Sequence, residues 1–261
     1  MICITDGAKN DITHLLVWGF NMKQGYYAVN SKKMSAIEVF RLNNSKWLSF
    51  PMALLMTKVI GLDFGFFSYA PERLSDSIVD AREIDSSHLE KLKVLIDDLT
   101  SLGFKHQFWQ SNENKNIYVE NDVSGTAGFF YNDLDTVASI AFIKTVSKKN
   151  PSIVIEGLCI NLVSFDSNSD VTVVTKNNYP DFYTPDFLSS QIIKSSNVKE
   201  VFDIHKNRLL DHPNANFKIL EKSLIEKIDQ LLYLIAEDRI KRGFFYFVSD
   251  DPDFKERYQS V

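Results

Sequence analysis

Residues 157–178, GLCINLVSFDSNSDVTVVTKNN, decide how this chain is built. The first part ends in the apolar run Leu162-Val163-Ser164-Phe165, and the last part, Val171 to Lys176, is rich in valine and threonine. Between them lies a polar run, Asp166 to Asp170. β-Branched and aromatic residues suit a pleated, half-buried backbone, whereas Asp, Asn and Ser favour turns because their side chains bond to nearby amides. The stretch therefore reads as two strands around a turn. It is a wall of a sheet and carries no reaction centre.

The pattern extends upstream. FKHQFWQ, NIYVE, TAGFFYN, VASIAFIKTV and SIVIEGLCINLVSF follow one another with short polar links, among them Asn132-Asp133 and Lys148 to Pro151. A parallel crossover needs a dozen or more residues, so such links make neighbouring strands antiparallel. Residues 104–176 are expected to form a meander of five or six strands. In residues 137–146, Ala138, Ile140, Phe142 and Val146 share one face. Ser152 to Phe165 would reach about 46 Å at roughly 3.3 Å per residue, so a bend or bulge is expected near Gly157.

Helical periodicity flanks the strands. Leu89, Leu92, Leu95, Ile96, Leu99 and Leu102 predict a helix over His88–Leu102, opened by a Ser87/Glu90 capping box and stopped by Gly103. Asn197 and Glu200 open a second helix whose apolar face carries Val198, Val201, Phe202, His205 and Leu209, with Pro213 beyond its end. Phe217, Leu220, Leu224, Ile228, Leu231 and Ile235 mark a third, running to Lys241 and closed by Gly243, and FFYFV follows as a strand. The fold class is α+β: a curved antiparallel meander sheet packed by the helix before it and by long C-terminal helices, all laid over one surface. Residues 88–261 form this domain and 71–87, rich in charge and serine, a connector. Residues 1–70 are expected to add helices and a hairpin to the same core. Its strands are 14–20 and 25–29; its helices open at Ser35/Glu38 and at Ser49-Phe50-Pro51, the second ending at Gly61.

The formal net charge is −5, which argues against a dominant nucleic-acid role. Two cysteines, Cys3 and Cys159, make no disulfide framework and no C-x-x-C site. With no basic start and apolar block at the N-terminus, a reducing, cytoplasmic setting is expected. Phe50 to Tyr69 is the one membrane-like segment, yet Lys58, Asp63, Gly61 and Gly65 interrupt it well short of the roughly 20 apolar residues a span needs. A buried helix followed by an apolar strand is expected there, with a membrane-surface contact as an alternative.

Catalytic signatures are missing. There is no G-x-S-x-G and no phosphate-cradling glycine loop. Asp250, Asp251 and Asp253 lack the rest of a calcium loop, and Gly125 and Gly128 read as a turn. His205 and His212 have no third ligand at a fitting spacing. Arg239, Lys241, Arg242, Lys255 and Arg257 surround a wing-like hairpin, but no helix-turn-helix precedes it. No catalytic residue, metal or cofactor is assigned.

Two features are candidates for binding. The loop NNYPDFYTPDF carries Tyr179, Phe182, Tyr183 and Phe187 beside two prolines. These rings either anchor a ligand or protein partner or cover the sheet edge as core. His205, on the apolar face of its helix, is either packed or set at an interface.

The segments LTSLGF, LVSFDSNSDVTVVTKNN, VKEVFDIHKNRLLDH and EDRIKRGFF, in this order, resemble a broad group of uncharacterised bacterial proteins. The resemblance covers about two thirds of the chain from Leu89 onward, implies the α+β layout and brings no activity with it. Two functional classes follow. One is a non-enzymatic binding or protein-interaction domain, possible as an immunity or inhibitor protein given the acidic charge. The other is a small-molecule-binding domain or an enzyme whose catalytic residues the sequence does not reveal. The partner, whether protein or small ligand, and the oligomeric state are left open.

Overall fold

The computed structural model describes residues 22–36, 39, 49–60, 66–70, 73–111, 117, 118, 120–132, 136–166, 172–177, 185, 187–217, 224–251 and 253–259. The expected strand at 14–20 and most of the helix opened by Ser35 lie outside them. Eleven strands are described: β1 Gly25–Val29, β2 Phe66–Ala70, β3 Ile78–Val79, β4 Lys105–Ser111, β5 Ile117–Tyr118, β6 Asn121–Tyr131, β7 Val137–Ser147, β8 Val154–Phe165, β9 Thr172–Asn177, β10 Leu188–Ile193 and β11 Phe245–Ser249. The helices are α1 Phe50–Leu55, continued by a π-turn over Met56–Ile60, then α2 Ser86–Ser101, α3 Val198–Leu210, α4 Leu224–Lys241 and α5 Phe254–Gln259.

The main sheet has seven strands in the order β10-β9-β8-β7-β6-β4-β3 and is open. From β4 to β9 every neighbouring pair is antiparallel, as the short links require. Two expectations fail within it. NIYVE does not join the meander: β5 pairs with β2 in another sheet. Nor does β8 bulge at Gly157, since its pairing with β7 runs in unbroken register from Val154↔Val146 to Val163↔Val137. The first five residues of this long ribbon project, exposed, past the helical cover. β10 adds in parallel to β9 after ten intervening residues, fewer than the dozen usual for a parallel connection.

The expectation that all helices cover one surface also fails. α2 and α3 pack on one face, where Leu92, Leu95, Leu99, Val198, Val201 and Phe202 meet Ala138, Ile140, Phe142, Ile160 and Leu162. Strand residues of the opposite parity, Val137 and Phe165, are buried on the other face against Leu224 and Ile228 of α4. The two faces follow from the two-residue period of a strand: an edge-to-edge apolar row on either side must find its own cover. α2 is capped by Asp85, whose carboxylate accepts from the Ser87 amide at 2.8 Å, and not by the expected Ser87/Glu90 box. Gly103 follows at φ +85°, a left-handed stop. α3 opens as expected: Asn197 Oδ1 accepts from the Glu200 amide at 3.0 Å.

A second sheet, in the order β11-β1-β2-β5, draws on both ends of the chain. One face rests on Met34, Val39 and Ala236, with Ile235 and Ile240 of α4 alongside. α4 thus serves the main sheet with its first turns and the second sheet with its last. The other face holds α5, whose Phe254 ring lies 5.0 Å from Tyr26 and 5.5 Å from Phe67. The wing-like hairpin is not formed: β11 pairs with β1, and the chain turns into α5.

Candidate functional site

The polar groups of the main sheet converge under α3. Ser164 on β8 and Thr175 on β9 occupy inward positions of their alternations, each two residues after a buried apolar residue, Leu162 and Val173. His205 and Arg208, one turn apart on α3, lie above them. His205 Nε2 is 3.0 Å from Ser164 Oγ, and Nδ1 is 2.9 Å from Thr175 Oγ1. Ser164 Oγ is 3.2 Å from Thr136 Oγ1 at the start of β7. Arg208 Nη1 donates to Thr175 Oγ1 at 2.8 Å and to the Val174 carbonyl, and Nη2 donates to the Ser189 carbonyl at 2.6 Å and hydroxyl at 3.0 Å.

This belt crosses four strands, and Ser164, Thr175 and His205 are each 0% exposed. Burial, reinforced by the positive charge of Arg208, pushes the His205 imidazolium down to a pKa of about 3, so the ring is neutral. Arg208 can only donate, which orders the protons. With Thr175 accepting from Arg208, its own hydroxyl proton goes to His205 Nδ1, Nε2–H donates to Ser164, and Ser164 donates to Thr136. The reverse order would leave the Thr175 hydroxyl proton without an acceptor.

A serine 3.0 Å from a histidine has the spacing of a nucleophile and its base. Here the second ring nitrogen meets a hydroxyl and not a carboxylate, and neither partner reaches solvent. The belt ties helix to sheet and presents no reacting atom.

Of the other predicted binding residues, Tyr179, Phe182 and Tyr183 lie outside the described residues. Phe187 is half-buried next to the start of β10. His205 belongs to the sealed belt. Among the described residues, no group of three His, Cys, Asp or Glu side chains could hold a metal ion. No helix among them is long and apolar enough to cross a membrane.

The sequence reading missed the open end of the main sheet. Past the first turn of α2, where Lys91 Nζ meets Glu156 at 3.0 Å and His88 packs on Phe142, the β7–β8 ribbon emerges from its cover. Ile153, Val154, Ile155 and Leu158 are 51, 46, 64 and 38% exposed. Ion pairs rim this strip: Lys149 with Glu120, and Lys148 with Asp122 at 3.8 Å. The available signal was length, since the ribbon outruns the helix that covers its root.

No family model, curated protein or solved structure matches this chain.

Proposed function

We propose that this chain is a non-enzymatic protein-interaction domain that docks through the projecting β7–β8 ribbon. The observation that carries the reading is the end of the β7–β8 ribbon, where exposed Val154 and Leu158 lie on one face and exposed Ile155 on the other, with exposed Ile153 just before the strand and the register unbroken from Val154 on. Exposed apolar side chains on both faces of a ribbon end, rimmed by ion pairs, suit a partner that closes around that end, and a preformed ribbon loses little freedom on docking. The sealed Ser164–His205 contact supports the non-enzymatic half: the one nucleophile-like pair described has no route to a substrate.

The test is affinity capture on immobilised wild-type chain beside Ile155→Asp and Val154→Asp. Both side chains face water, so melting temperatures should match wild type while retained partners fall at least about tenfold. An unchanged set of retained proteins would remove the ribbon as the docking element.

A further inference from the structure

We infer that α1 and its lysine border form a docking site for an anionic lipid surface. Its position on the second sheet makes this independent of the ribbon. α1 is apolar all round. Phe50, Ala53 and Leu54 pack against the core of the second sheet, and Thr57 in the following π-turn is buried. The outward side carries Pro51, Met52, Leu55 and Met56, with Met52, Leu55 and Met56 being 62, 50 and 36% exposed. A helix with apolar residues on every side is normally covered on every side.

The charge around this ridge says what covers it. Lys58 lies two residues past Met56, and its Nζ donates to the Lys32 carbonyl at 3.0 Å, which brings exposed Lys32 and Lys33 alongside. The Lys33 side chain in turn lies 3.7 Å from the Cβ position of Gly243, beside exposed Arg242 and Lys241. Of the acids at this end of α4, Glu237 is buried and spanned by Lys241 at 3.0 Å, and Asp238 follows it in the same turn. A basic border around an apolar ridge, in a chain of net charge −5, is a local inversion of the overall charge. A bilayer with anionic headgroups satisfies both parts: the ridge enters the headgroup–acyl boundary while the long lysine stems keep their amines among the phosphates.

Co-sedimentation of the full chain with vesicles tests this. Wild type should pellet with phosphatidylcholine–phosphatidylserine vesicles, stay in the supernatant with phosphatidylcholine alone, and release as salt rises. Met52→Asp with Leu55→Asp should lower partitioning by about tenfold or more. Lys32→Gln with Lys33→Gln should lower it about fivefold per lysine. Val94→Asp, at a 68% exposed apolar position on α2, should change nothing, and Ile155→Asp should also leave vesicle binding intact. Matching circular dichroism spectra keep unfolding from mimicking the effect. Wild type that ignores phosphatidylserine vesicles, or pellets equally with both compositions, overturns the inference. So does Leu55-dependent self-association in sedimentation velocity without vesicle binding, which would put a second copy of the chain on the ridge.

Discussion

Ser164 Oγ and His205 Nε2 sit 3.0 Å apart with no solvent around either. The contact joins the C-terminal end of β8 to the middle of α3. Without it the helix would present an unpaired imidazole to a buried sheet face, at a cost of about 1–3 kcal/mol per orphaned group. The belt therefore fixes the rotation of α3 about its own axis: any other setting strands His205, Ser164 and Thr175 together.

That arrangement makes stability depend on acid. The folded pKa of His205, about 3, lies below its unfolded value, so the unfolded chain binds the extra proton first. Its contribution is complete above the unfolded pKa near 6.5 and is lost as pH falls below it. Between pH 7 and pH 5 the loss is about 2 kcal/mol. Urea midpoints across that range should fall for wild type and fall less for His205→Gln, which has no titrating ring. Equal slopes would mean that His205 is not the group responsible.

Arg208 makes a different demand. Its fork reaches β9 through Thr175 and β10 through the carbonyl and hydroxyl oxygens of Ser189. Arg208→Met should cost about 2–3 kcal/mol, because it leaves the Thr175 hydroxyl and strand carbonyls without their donor. Amide exchange should quicken in β10 more than in β7. Arg208→Lys should not rescue it, since one ammonium cannot span two strands. Uniform loss of protection across the sheet would count against this role.

Cys159 should behave as an inert thiol. It is 8% exposed on β8, and burial pushes its pKa up, so little thiolate forms at neutral pH. In a Cys3→Ser background, a thiol reagent should modify the native chain slowly and label it at once in denaturant. Rapid native labelling would show that the strip around Cys159 opens.

The meander was legible because each link between β6 and β9 is too short for anything but an antiparallel return, and α2 because its leucines keep one helical face. The sidedness of α4 was not. Its stripe of Leu224, Ile228 and Ile235 specifies a buried face but not which face of the sheet receives it, and only the opposite parity of Val137 and Phe165 decides that. β5 escaped for a related reason: two paired residues carry no period, so NIYVE could not announce a second sheet. The polar belt left a faint trace, a serine and a threonine at inward positions of adjacent strands and a histidine on an apolar helix face. Each is unremarkable alone, and the register that unites them is a tertiary fact.

Two glycines of the main sheet should respond to alanine with opposite signs. At Gly128, on β6, an added Cβ would stand 2.5 Å from Trp109 Cζ3 and 3.0 Å from Phe130 Cε2. Both rings pack at the core, so neither can swing away without opening it, and Gly128→Ala should cost about 1–3 kcal/mol. At Gly157 nothing lies within 4 Å of the same position, and the strand there is regular. Gly157→Ala meets no clash and reduces the freedom of the unfolded chain, so it should stabilise by up to about 1 kcal/mol. A bulge at Gly157 would have reversed that second sign. Paired chemical denaturation of the two variants thus tests the regular pairing of β8 directly: a loss of stability in Gly157→Ala comparable to that in Gly128→Ala would show a bulge at Gly157 where the register runs unbroken.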